Sequence, residues 1–290
     1  MRNLRSIIIL LVLFTATQCS VTKLQKQGYI SSASSNYKGK FSTIKSLIIL
    51  PVEIDGVTKN FLFDTGADVT LIQRDTIKGK TRVIGGATNR NMKLGNETIQ
   101  SFKIGNVDFR DTYAMNGDFV GLKEQVPNFG GLIGQPIIKK ANWLIDYPNQ
   151  YIEISKDHLI DNTFESLAIK REGGSPYVYI HIDGEKFKAL IDLGSSSAFS
   201  IPQNSKLAKH IISKYAFQDN EREVYSIGGL QKVSEKVGNI PSIQLEGFEF
   251  KNIKTTIKHT SQLRIGNDFF KDYMVYIDNV NMNYSLKKSN

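Results

Sequence analysis

Phe61-Leu62-Phe63-Asp64-Thr65-Gly66 and Ala189-Leu190-Ile191-Asp192-Leu193-Gly194 read as one strand-and-loop pattern written twice. Before the first stands Ile49-Leu50-Pro51-Val52-Glu53-Ile54-Asp55-Gly56, and before the second Tyr177-Val178-Tyr179-Ile180-His181-Ile182-Asp183-Gly184. Gly56 lies eight residues ahead of Asp64, and Gly184 lies eight ahead of Asp192. Alternating β-branched and aromatic residues around Asp-Gly predict a strand, a tight turn and a second strand in each copy.

The match continues downstream. Val83-Ile84-Gly85-Gly86 and Ser226-Ile227-Gly228-Gly229 place a glycine pair inside an expected hairpin. Phe102 to Phe109 and Ile243 to Phe250 each predict two short strands about a turn. Both copies then close on a residue-Ile-Gly triplet, Leu132-Ile133-Gly134 and Arg264-Ile265-Gly266. A short helical stretch and a strand ending in Ile-Asp follow, with Asp146 and Asp278 each twelve residues after their glycine. Five landmarks in the same order at near-constant spacing establish an internal duplication. The pattern predicts an all-β chain of two homologous lobes with few, short helices, over Ser205 to Tyr215 and Asp157 to Ala168. We read Asp55, Asp183, Asp146 and Asp278 as structural, at turns and strand ends.

Composition narrows the function. The 290 residues are 40% hydrophobic and carry a formal charge of +9, but the basic residues are scattered and form no nucleic-acid motif. No nucleic acid is therefore expected as partner, and the charge reads as a solvated surface. The four histidines show no metal-ligand spacing and only one cysteine, Cys19, is present, so neither a metal, another cofactor nor a disulfide framework is expected.

Arg2 and Arg5 precede the apolar run Ile7 to Phe14, which is too short to span a bilayer and suits a secretory signal. Thr15-Ala16-Thr17-Gln18-Cys19 resembles a bacterial lipobox, with Gln18 where a small residue is usual. This implies a signal over 1–18, lipidation at Cys19 and a flexible tether over 19–40. The alternative is a plain secretory signal cut near Thr17. The expected location is the bacterial cell envelope, lipid-anchored in the membrane and facing the periplasm.

Asp64-Thr65-Gly66 at the end of an apolar strand, with a downstream residue-Ile-Gly strand, resembles the aspartic protease superfamily. Lobe one is closest to the retropepsin version, and the duplication resembles the bilobal arrangement of pepsin. The resemblance covers roughly residues 45 to 285 and implies an N-terminal lobe over 41–156, an inter-lobe connection over 157–172 and a C-terminal lobe over 173–290. It implies an aspartic endopeptidase acting as a monomer on a peptide or protein substrate, with Asp64 and Asp192 as catalytic pair. Thr65, Gly66, Leu193, Gly194, Gly134 and Gly266 would support the active-site loops. Gly85-Gly86 and Gly228-Gly229 would mark hairpins over bound peptide.

Two carboxylates held close cannot both ionise cheaply, so they share a proton and supply both acid and base. Leu193 departs from the family's Thr or Ser, which removes one hydroxyl from beneath the carboxylates and is expected to loosen the pair. The alternative function is a peptide-binding or assembly module of the envelope that has kept the fold and lost the chemistry.

Overall fold

A computed structural model describes residues 23–31, 36–85, 91–172, 174–226 and 229–289. The chain is mostly β, arranged as three sheets. In the first half, Val57–Phe63 pairs in parallel with Phe129–Ile133, which lies antiparallel to Thr70–Gln73, which in turn runs parallel to Val107–Gly117. In the second half, Glu185–Ile191, Leu263–Ile265, Phe199–Pro202 and Phe248–Lys258 repeat that order and those directions. Each sheet then adds a long hairpin. The first is Thr81–Gly85 with Asn91–Ile104, and the second is Phe217–Ser226 with Gly229–Leu245. The duplication in the sequence is thus a duplication in topology.

The Asp-Gly turns form as their residue types demand. Asp55 and Gly56 have φ of 54° and 75°, and Asp183 and Gly184 have 52° and 83°. Two successive positive φ values give the hairpin turn whose twist matches the flanking strands.

The third sheet is antiparallel and is built from both halves. Its order is Glu165–Leu167, Asn283–Lys288, Tyr273–Asp278, Asn142–Asp146, Tyr151–Ser155 and Asn36–Lys40. The two Ile-Asp strands lie side by side at its centre, with Leu144 opposite Tyr276 and Ile145 opposite Val275. Asp146 and Asp278 end their strands in matching turns. Each carboxylate accepts from the backbone N–H and the side-chain amide of the asparagine three residues on, Asn149 and Asn281. One apolar cluster runs through all three sheets, with Trp143 fully buried between Phe63 and Phe109.

The structure corrects two expectations. Asp157 to Ala168 is not helical: Asp161 binds the backbone and hydroxyl of Thr163 in a local turn, and Glu165–Leu167 is then drawn into the third sheet beside Asn283–Lys288. Within the 157–172 connection, Lys170–Glu172 also forms a strand, paired with Ser175–Tyr177. Not all of 19–40 is a tether. Tyr29–Ile30 pairs with Phe109–Arg110, Asn36–Lys40 pairs with Tyr151–Ser155, and Ile30 and Gln25 are buried.

The helix expected over Ser205 to Tyr215 forms as Lys206–Lys214, with Ser205 as its cap accepting from the Ala208 N–H at 3.0 Å. It buries Leu207, Ala208 and Ile211, a spacing that puts them on one face. The signal segment and Cys19 lie outside the described residues.

Candidate active site

Asp64 directly follows the strand Val57–Phe63, and Asp192 directly follows Glu185–Ile191. Each loop is pinned to its parallel neighbour: the Asp64 N–H donates to the Ile133 carbonyl at 3.0 Å, and the Asp192 N–H to that of Ile265 at 2.8 Å. Gly134 and Gly266 come next on those neighbours with identical backbone angles, φ −110° and ψ −169°. A Cβ at Gly134 would sit 2.2 Å from the Val69 carbonyl oxygen, and one at Gly266 would sit 2.1 Å from that of Ser197. Side chains are thus excluded where one strand threads beneath each loop.

The two carboxylates face one another. The Gly66 N–H donates to Asp64 Oδ1 at 2.8 Å, and the Gly194 N–H to Asp192 Oδ1 at 3.1 Å. Each glycine also abuts the opposite acid: a Cβ on Gly194 would fall 2.1 Å from Asp64 Cγ, and one on Gly66 would fall 2.8 Å from Asp192 Oδ1. Only glycine admits this approach. Burial is the largest influence on Asp64 and holds its carboxyl well above the usual carboxylate range. The charge of Asp192 and a hydrogen bond from the pair add to the shift, while the Gly66 N–H and the Arg264 charge oppose it. Burial thus favours the protonated form at Asp64, within a pair that holds its protons in common.

Thr65 and Leu193 sit beneath the pair. Thr65 Oγ1 donates to the Ile191 carbonyl at 2.9 Å and accepts from the Leu193 N–H at 3.0 Å, so one hydroxyl ties the two loops together. The Leu193 side chain is fully buried in the main apolar cluster. Gly85 pairs with Asn91 and Gly229 with Ser226 at the ends of the two long hairpins; Gly86 and Gly228 lie outside the described residues.

Sequence reading missed three residues. Gln135 and Asn267 follow the two closing glycines, and their side-chain amides donate to the Thr65 and Leu193 carbonyls, both at 2.6 Å. The Asn267 carbonyl oxygen also accepts from the Tyr147 hydroxyl at 2.7 Å. An amide residue after the glycine in both copies was a readable signal. Arg264 is the third: its Nη1 donates to Asp192 Oδ2 in a short salt bridge with only 6% of the Asp192 side chain exposed. Leu132 holds the matching place in the first half.

Beside the Asp192 loop opens a cleft of about 540 Å3 with Lys45 and Ser46 of the first half on one side and Ser196, Ser197, Arg222 and Glu235 of the second on the other. Among the described residues, no three His, Cys, Asp or Glu side chains converge on a point that would suit a metal. A pair of buried carboxylates with one proton offers an acid and a base within reach of the same atom. No model of a known protein family matches the chain, and no curated protein is similar to it.

Proposed function

We propose that the chain is a two-lobed, pepsin-like aspartic endopeptidase of the bacterial cell envelope, anchored through Cys19, with Asp64 and Asp192 as its catalytic pair. The observation that carries this reading is the opposition of the two carboxylates, each held by its own glycine N–H and pressed against the other's glycine. The two matching sheets are the lobes, and the sheet built from both halves joins them.

An extended peptide lies between the lobes under the long hairpins, partly by strand pairing. A water held between the carboxylates loses a proton to the ionised Asp192 as its oxygen bonds to the scissile carbon. Asp64 gives its proton to the carbonyl oxygen, forming a neutral diol. The C–N bond then breaks as the amine takes the proton held on Asp192, and Asp64 recovers its own from a diol hydroxyl. Every proton is accounted for within the pair and the water.

The test compares the chain from Ser20 onward with Asp64→Ala and Asp192→Ala on a mixed peptide library from pH 3 to 8. Cleavage by the unaltered protein and silence from both variants is the expected result. Binding of peptides without cleavage at any pH would instead favour the second reading, a peptide-binding module of the envelope. Two observations speak for that module: Leu193 in place of a hydroxyl residue, and Arg264 on an oxygen of Asp192.

A further inference from the structure

Arg264 introduces an asymmetry that the duplicated fold does not require. Leucine fills the matching place, Leu132, and the two strands are otherwise alike in pairing and direction. The Arg264 side chain is one-quarter exposed, its Nε reaches Thr260 Oγ1 at 3.3 Å, and its Nη1 lies on Asp192.

The charges around the pair can be paired off. Asp192 meets Arg264 on Oδ2, the Gly194 N–H on Oδ1, and Asp64 across the gap. Behind them, Lys258 Nζ donates to Ser197 Oγ at 3.4 Å, and the charges of Arg222, Glu235, Arg264 and Asp192 all act on it. Arg222 is held by both oxygens of the buried Glu235, at 2.6 and 3.2 Å. Among the described residues named above, with Arg264–Asp192 and Arg222–Glu235 each neutral as pairs, Asp64 and Lys258 remain. Burial pushes the proton affinity of Asp64 up and that of Lys258 down.

We infer that Arg264 is a positioning residue that divides the work of the pair: it fixes Asp192 as the carboxylate that takes the water's proton and leaves Asp64 as the acid. A pair without such a cation can place its one proton on either member. Here Arg264 Nη1 on Oδ2 and the Gly194 N–H on Oδ1 hold the Asp192 carboxylate from both sides. The roles rest on the endopeptidase reading, whereas the asymmetry belongs to the resting pair and is testable without turnover.

The experiment is a carboxyl carbon-13 NMR titration of Asp64 in the unaltered chain, Arg264→Leu and Arg264→Lys, together with pH profiles of kcat/KM. Leucine at this position has its precedent in Leu132, so the variant has a shape the fold accommodates. Without Arg264 the proton is free to sit on either carboxylate, so the Asp64 titration in Arg264→Leu should change shape, spreading over two steps shared with Asp192. Arg264→Leu should also lose about tenfold in kcat/KM on the plateau, because an unanchored base is misoriented for much of the time. Arg264→Lys should keep the titration near that of the unaltered chain and recover part of the rate. Identical Asp64 titrations in the unaltered chain and Arg264→Leu would overturn the inference. A changed titration in a protein that cuts nothing would leave the asymmetry standing and remove the endopeptidase reading.

Discussion

Thr65 ties the two aspartate loops together through one hydroxyl. Its oxygen serves both the Ile191 carbonyl and the Leu193 N–H in a fully buried setting. Thr65→Val keeps the shape and removes both bonds, so urea unfolding should show a loss of about 2–4 kcal/mol. A loss below about 0.5 kcal/mol would mean the contact is incidental. Asp64 makes a different prediction. Its proton affinity is raised in the folded state, so it contributes stability that is full below the ordinary Asp range. That stability is lost as pH rises toward the folded-state value, where the native state must give up a proton it holds more tightly than the unfolded chain does. Stability of the unaltered protein should therefore fall over that interval, and Asp64→Asn should flatten the fall. The same slope in both proteins would contradict the assignment of the retained proton to Asp64.

At the scale of elements, the hairpins, the two Asp-x-Gly loops and the closing Ile-Gly strands were legible because each depends on neighbours in sequence. Asp55-Gly56 fixes a turn wherever it lies between two strands, and Gly134 marks a crossing because no other residue fits there. Arg264 was visible as a letter but not as a site residue, since its partner is 72 residues away. The error over Asp157 to Ala168 has a similar origin: its apolar residues suit a helix, but the open edge of Asn283–Lys288 captures Glu165–Leu167 as a strand. Residues 36–40, Asn-Tyr-Lys-Gly-Lys, read as a linker because an edge strand needs few apolar side chains. Gln135 and Asn267 are the testable part of this scale. Asn267→Ala strands both the Leu193 carbonyl and the Tyr147 hydroxyl, whereas Gln135→Ala strands only the Thr65 carbonyl, since Gln135 Oε1 already lacks a partner. Each substitution should cost about 1–3 kcal/mol in chemical denaturation, with Asn267→Ala the larger. The reverse order would show that the two loops are not held as described.

Across the whole molecule, the sheet built from both halves pairs a strand of each copy at its centre, and its edge strand comes from a segment that composition assigns to a tether. Gln25 extends that connection to the site itself, donating to the Asp68 carbonyl just beyond the Asp64 loop and accepting from Lys139. Relative to a chain beginning at Lys23, one beginning at Phe41 loses Ile30, Gln25 and the strand Asn36–Lys40, and should melt lower by about 5 °C or more. Equal melting temperatures would return those residues to the role of spacer.

The central claim is that Asp64 and Asp192 act as one proton-sharing unit, and the most direct test is the affinity of a statine-containing peptide against its deoxy analogue by calorimetry. A tetrahedral hydroxyl between the carboxylates mimics the hydrated carbonyl, so the unaltered protein should bind the hydroxyl compound at least about a hundredfold more tightly. Asp64→Asn should erase most of that difference. Equal affinity of the two compounds for the unaltered protein would contradict the account, because a working pair cannot be indifferent to the group that occupies the place of its water.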